Sequence, residues 1–340
     1  MADGDPSILD LAGLRELWLA SAAEAGGSPF ASDPFLVVAP VGAEQGDEDA
    51  LAAWLARQPC PVIGIAAKTG ALAAARAVLA ACDVVVDDIA DVAPIAANIR
   101  RAPLAAMTLV QVLRVTAAVP PEQALVVESL AYATLQAGPE FAAWSHANPP
   151  TSHLIPTEEG PPVRIERDGP WLGLVLNRPR NRNSMSVEMR DALCEAFQLV
   201  VADDSIASVR LSGAGACFST GGEVREFGTA PDPATAHAVR SHRLPAAGLL
   251  ACAERVSAHL HGACIGSGIE LPAFAHRVTA APGTFIQLPE LRFGLIPGAG
   301  GCVSLPRRIG RQRTAWLALS ARRINAATAR EWGLVDEIVD

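Results

Sequence analysis

The chain has 340 residues, half of them hydrophobic and 19% charged, with a formal net charge of −9. So apolar a chain can bury a sizeable core, which excludes disorder, and its acidity argues against a nucleic-acid surface, which needs clustered positive charge. Lys68 is the one lysine; the other 26 of the 27 basic side chains are arginine. The length suits two domains, or one large domain with an appendage.

No stretch of about 18 uninterrupted apolar residues occurs, so no membrane span is expected. The acidic start, Met1 to Asp5, lacks the basic flank and apolar run of a signal peptide. Seven cysteines (60, 82, 194, 217, 252, 264, 302) are scattered without any CxxC spacing. They read as reduced core residues of a cytoplasmic protein, with no zinc site and no disulfide frame.

In chain order, a helix is expected over 9–25, a buried strand over 35–39, a helix near 47–57 and a strand over 61–65. An alanine-rich helix over 71–81 leads to a strand over 83–87. Strands alternating with helices suggest βαβ units. The pattern then becomes purely helical over 94–118, 121–137 and 139–145. Residues 148–162 carry five prolines and no periodicity, which predicts an extended, exposed linker. It divides a front part, 1–147, from a back part, 163–340.

The back part opens with a hairpin, 163–167 and 171–176, around the turn dipeptide Asp168-Gly169. Ser186 can cap a helix carrying Met189, Leu193, Phe197 and Val200 at helical spacing. A strand near 209–211 follows, then a helix over 233–250. On that helix Arg240, His242 and Arg243 sit either near a pocket mouth or on a solvated face. His259 and His261 alternate on a strand; without further ligands at matching spacing they read as structural.

Three glycine-bearing loops carry the chemical signal: Phe218-Ser219-Thr220-Gly221-Gly222-Glu223, Ile265-Gly266-Ser267-Gly268-Ile269-Glu270 and Leu288-Pro289-Glu290 with Pro297-Gly298-Ala299-Gly300-Gly301. One such loop alone serves plain turns as often as chemistry. Together, in this order, they resemble the crotonase family (the enoyl-CoA hydratase/isomerase superfamily). The likeness extends to Leu176-Asn177-Arg178-Pro179, Asn183-Ser184-Met185 and the segment 319–335, and so covers 163–340.

The resemblance implies a mixed α/β fold of stacked ββα units with a helical oligomerisation region, assembled as homotrimers or homohexamers. It implies an acyl-CoA substrate and no cofactor, coenzyme A being part of the substrate. The backbone N–H groups of Gly222 and Ser267 would form an oxyanion hole for the thioester carbonyl. Glu270 and Glu290 would be the acid/base pair, and Asn183, Ser184, Thr220, Gly221 and Gly298 would contact substrate. Glu270 lies one helical turn after Ser267, so the helix facing the oxyanion also presents a carboxylate. Two carboxylates in one dry pocket push their protonation states apart, letting one act as base and the other as acid. Glycine is usual at Ser267, aspartate at Glu223 and aspartate at His276; these departures affect the acyl pocket more than the chemistry.

Hydration of a 2-enoyl-CoA is the reaction implied. Isomerisation or hydrolysis on the same oxyanion hole is the enzymatic alternative, and a non-catalytic CoA-binding scaffold the alternative of another class. The front part resembles a degenerate copy: a shift of 193 residues sets Ala74 against Ser267, Ala77 against Glu270 and Ala97 against Glu290, so both carboxylates are missing. Its segment 94–147, with Val127-Glu128-Ser129-Leu130, resembles the family's C-terminal helices. The back part stops where the family continues into those helices, so the front part is expected to supply them.

Overall fold

The computed structural model describes residues 6–21, 27–42, 46–66, 73–149, 155–156 and 158–339. In the front half, β1 (Ile8–Leu9), α1 (Leu11–Ala20), β2 (Leu36–Val38), α2 (Glu48–Leu55), β3 (Val62–Ile65), α3 (Ala73–Ala81) and β4 (Val84–Val86) follow one another. The four strands form one parallel sheet in chain order. A parallel sheet needs cover on both faces. Strand alternation provides it: Val38 and Val62 pack with Leu11, Leu14, Leu51 and Trp54, whereas Val37, Ile63, Ile65, Val84 and Val86 face the rest of the molecule.

The helix expected over 9–25 is shorter than that. Ile8 and Leu9 pair with Val37 and Val38 as an edge strand, and Asp10 caps α1 by accepting from Gly13 N–H at 2.8 Å. Residues 22–26, and 71–72 of the helix expected over 71–81, lie outside the described residues. The helix expected over 94–118 is two, α4 (Val92–Arg101) and α5 (Pro103–Thr116). Pro103 has no N–H and clashes with a preceding helical turn, so it opens a new helix. α6 (Pro121–Gln136) and α7 (Pro139–Ala147) also start on proline.

The back half begins with the expected hairpin, β5 (Val163–Asp168) and β6 (Trp171–Leu176). It continues through α8 (Val187–Ala202), β7 (Ser208–Gly213), α9 (Pro233–His242), α10 (Pro245–Ala251), β8 (Val256–Leu260), β9 (Ala263–Ile265) and α11 (Ser267–Glu270). Then come β10 (Arg277–Ala280), β11 (Phe285–Gln287), α12 (Gly301–Ile309), α13 (Arg311–Ser320), β12 (Ile324–Asn325), α14 (Ala326–Trp332) and β13 (Glu337–Ile338). The helix expected over 233–250 is broken by Pro245, again at a helix start.

Strands β13, β10, β8, β7, β6 and β5 lie side by side in one sheet, and β12, β11 and β9 in a second. Because β8 and β10 belong to the first sheet and β9 and β11 to the second, the chain winds from sheet to sheet, with α11 inside the turn. This is the stacked ββα architecture. The front strands β1 to β4 repeat the parallel order of β6, β7, β8 and β10. Among the described residues they have no second sheet, and Ala97 lies exposed on α4.

Helices α4 to α6 pack onto α12 and α13, with Leu109, Leu113 and Leu125 sharing a core with Cys302, Val303 and Leu317. Polar joints reinforce the contact. Asp83, 1% exposed, takes Arg114 of α5 at 2.5 Å and Arg311 of α13 at 2.7 Å. Thr116 Oγ1 donates to Cys302 O at 2.8 Å, and Asn98 Nδ2 to Leu319 O at 2.9 Å. All seven cysteines are buried and unpaired. Among the described residues no helix is long and apolar enough to cross a membrane.

Candidate functional site

A cavity of about 480 Å³ opens where the three glycine loops meet α6 and α9. The loop leaving β6 is fixed by Asn183, whose side chain is fully buried. Its Oδ1 accepts from Arg178 N–H at 2.8 Å, and its Nδ2 donates to the carbonyls of Ala214, Cys217 and Phe218 at 2.9, 3.1 and 3.0 Å. Ser184 Oγ donates to Asn181 O at 2.8 Å and lies 3.3 Å from Thr220 Oγ1. Both were expected to contact substrate. Neither lines the cavity; their hydrogen bonds are taken up in holding the loop beside it. Thr220, Gly221, Gly222, Ser267, Glu270, Glu290 and Gly298 do line it.

Glu223, where the family usually has aspartate, pairs with Arg225 at 2.6 Å and accepts from Asn181 Nδ2 at 2.7 Å. Burial pushes its carboxyl up, but these bonds together hold it below the ordinary value. The longer side chain thus ties Asn181, in the loop after β6, to Arg225.

The first two glycine loops are bound edge to edge. Ser219 N–H donates to Ala263 O at 3.2 Å, and Ile265 N–H to Ser219 O at 3.1 Å. A β-carbon on Gly268 would stand 2.5 Å from Ser219 O, and one on Gly221, at φ +93°, 2.8 Å from Ile265 O. Glycine is therefore required for this approach. The contact fixes the spacing of two backbone donors: the N–H groups of Gly222 and Ser267 have no protein acceptor among the described residues. Ser267 is the first residue of α11, where helical N–H groups lack intrahelical partners.

Glu270 is 2% exposed and Glu290 9% exposed. Glu270 Oε2 accepts from Ala299 N–H at 2.7 Å and Gly301 N–H at 3.0 Å. The other oxygens converge: a β-carbon on Gly266 would stand 2.6 Å from Glu290 Oε1 and 3.7 Å from Glu270 Oε1. Burial pushes Glu270 up to about 7, opposed by its backbone donors and by Arg240. Burial, and then the charge of Glu270, push Glu290 well above the ordinary carboxylate range. Arg292 does not pair with Glu290; its guanidinium donates to Ala321 O at 3.2 Å.

A third buried carboxylate comes from the front half and was not foreseen as part of the site. Glu128 of α6, with no exposure, accepts from Gly300 N–H at 2.7 Å and Cys302 N–H at 2.8 Å. Burial and the nearby Glu270 push it up to about 8. Beside it Arg240 of α9 stacks on Tyr132 with 4.4 Å between guanidinium carbon and ring centroid, lies 3.9 Å from Glu128 Oε1 and donates to Gly298 O. A β-carbon on Gly298 would collide with the Tyr132 ring. One carboxylate in the middle of the apolar run of α6 was the signal for Glu128, since such groups are rarely buried without a partner. Arg240 of α9 turns inward to a carboxylate on α6, which its own helix does not reveal.

The two histidines have structural partners. His259 Nδ1 lies 3.0 Å from Thr279 Oγ1, and His261 Nε2 lies 3.0 Å from Gly215 O.

The sequence pattern of the enoyl-CoA hydratase/isomerase family matches residues 172–340. Among curated proteins the chain is similar to the 1,2-epoxyphenylacetyl-CoA isomerase of Escherichia coli (strain K12). The two are 34% identical over 171 residues, which is 49% of this chain and 65% of that one. It is also similar to the mevalonyl-coenzyme A hydratase SIDH of Beauveria bassiana (strain ARSEF 2860), 30% identical over 176 residues, 49% of this chain and 63% of that one. A solved enoyl-CoA hydratase/carnithine racemase from Magnetospirillum magneticum superposes on 54% of this chain and 69% of its own, with 26% identity and a TM-score of 0.50. The chain spans just under two thirds of the length of these curated relatives. The family pattern leaves residues 1–171, Glu128 and Tyr132 included, outside the match.

Proposed function

The chain belongs to the enoyl-CoA hydratase/isomerase family through its residues 172–340, and from that premise we propose that it hydrates a 2-enoyl-CoA thioester. One observation carries the reading: two buried carboxylates converge beside Gly266, in the same cavity that Gly222 and Ser267 line. Glu270, held by two backbone donors and influenced by Arg240, is the better base. Glu290, whose carboxyl burial and the charge of Glu270 push up, is the better acid.

In the proposed step Glu270 takes a proton from a water as its oxygen bonds to C3. The π pair of the double bond moves toward C1 and places negative charge on the thioester oxygen, against the two N–H groups. Glu290 gives its proton to C2. One water has then been added, and proton return from Glu270 to Glu290 resets the pair. Two glutamates support hydration better than an isomerisation served by one base.

We further propose that the front half is a degenerate copy whose helices α4 to α7 cover the back half, and that the protein assembles as trimers or paired trimers. The shared strand order and Glu128 support the first proposal.

The test is loss of the conjugated-thioester absorbance of crotonyl-CoA. Wild type should consume it, and Glu270→Gln and Glu290→Gln should each slow turnover by about 10²–10⁴. Tight binding without turnover would favour a bulkier acyl group, isomerisation or hydrolysis. No coenzyme A binding at all would leave the scaffold.

A further inference from the structure

We infer that the Ser267 hydroxyl is a third donor to the thioester oxygen, acting beside the N–H groups of Gly222 and Ser267; the inference rests on the oxyanion reading just given. Among the described residues, three buried side-chain polar atoms have no hydrogen-bond partner: Arg240 Nε, Ser267 Oγ and Glu290 Oε2. All three residues line the one cavity. Leaving a buried hydroxyl unmatched is costly, so such atoms concentrate where a ligand completes them.

Two of the three already have an account. Glu290 Oε2 belongs to the carboxyl that moves a proton. Arg240 Nε belongs to a guanidinium set against Glu128, Tyr132 and Gly298 O. Ser267 Oγ has neither. A helical serine usually turns its hydroxyl back to a carbonyl three or four residues earlier. Here those residues, Ala263 and Cys264, lie in β9, and Ala263 O already accepts from Ser219 N–H. Because Ser267 starts α11, no preceding helical turn exists to receive its hydroxyl.

The hydroxyl and the N–H of one residue can converge on a single oxygen by rotation about one side-chain bond. Gly268, packed against Ser219 O, and Gly266, set against the two glutamates, keep the backbone of Ser267 from shifting. Ser267 keeps its proton throughout, and no bond to it forms or breaks. Its hydrogen bond strengthens as charge builds on the thioester oxygen, so it favours the enolate over the bound thioester.

The probe is acetoacetyl-CoA, whose bound enolate has its own ultraviolet band, titrated into the full chain alongside crotonyl-CoA turnover. Ser267→Ala keeps both N–H donors. It should weaken the enolate band and acetoacetyl-CoA affinity about tenfold or more and lower kcat for crotonyl-CoA by about 10², the usual effect of losing one such donor. Ser267→Thr, which restores a hydroxyl, should recover both. Glu290→Gln should lose turnover while keeping the band, separating donor loss from general damage. A band and affinity unchanged in Ser267→Ala would overturn the inference and leave the hydration reading standing. Absence of the band in wild type would remove the oxyanion hole itself, and this inference with it.

Discussion

Glu128 and Glu270 divide four consecutive backbone N–H groups between them. Glu270 takes those of Ala299 and Gly301, and Glu128 those of Gly300 and Cys302. The start of α12 is thus held from two sides, by a carboxylate of the back half and one of the front. The charge of Glu270 also raises the affinity of Glu128 for a proton.

Glu128→Gln should therefore disturb both stability and the site. An amide cannot accept at both ends, so one N–H of Gly300 or Cys302 loses its partner. We expect a loss of about 1–3 kcal/mol in unfolding experiments, with slower turnover. Unchanged stability would mean that Glu128 does not hold the helix start.

The pH dependence follows from the same carboxyls. Burial raises Glu270 to about 7 and Glu128 to about 8, against an ordinary value of 4.5. Groups raised on folding stabilise fully below their unfolded value and lose that contribution as pH rises through the folded one. The melting temperature should therefore fall as pH climbs from about 5 to 8. Activity should show the opposite limb, with kcat/KM rising through about pH 7 as Glu270 ionises. Profiles of both quantities on the same preparation check the pair; a melting temperature that rises over that range contradicts it.

Gly266→Ala should abolish turnover. The added carbon would stand between the two glutamate oxygens, and φ +51° with ψ −122° is backbone that essentially only glycine adopts. A stability cost of about 1–3 kcal/mol should accompany the loss. Crotonyl-CoA turnover and thermal unfolding read the two effects separately.

Asp83→Asn tests the joint between the halves. Its removal leaves Arg114 and Arg311 without their shared carboxylate at a buried position. We expect a loss of about 3 kcal/mol, less if water reaches the partly exposed arginines. Protein that remains folded should keep its kcat, since Asp83 lies outside the cavity. A fall in kcat without a fall in stability would place the joint within the chemistry instead.

Residues 160–340 produced alone should be insoluble or inactive. The fragment lacks Glu128 and Tyr132, and it exposes Cys302, Val303 and Leu317 where α5 and α6 pack. A soluble fragment with full crotonyl-CoA turnover would show that the helical cover is dispensable.

Much of the back half could be read from residues in order, because its chemistry sits in contiguous loops. Ser267 and Glu270 are one helical turn apart, so their common wall follows from spacing alone. Asn183 enters through the resemblance alone; that its side chain staples the loop, accepting from Arg178 and donating to three carbonyls more than 30 residues away, is carried by no local pattern. The long helices over 94–118 and 233–250 ignored Pro103 and Pro245, whose missing N–H groups decide the breaks. Glu128 meets Gly300 across 172 positions, and no local pattern carries that pairing.

That separation has a consequence during synthesis. Glu128 leaves the ribosome long before the backbone it must bind has been translated, so α6 waits with its apolar face and a carboxylate uncovered. Contacts of such sequence separation slow folding, and partly made chains with exposed apolar faces tend to aggregate. The nascent front half should accordingly draw chaperones until α12 emerges, and the cavity should be the last part of the molecule to take shape.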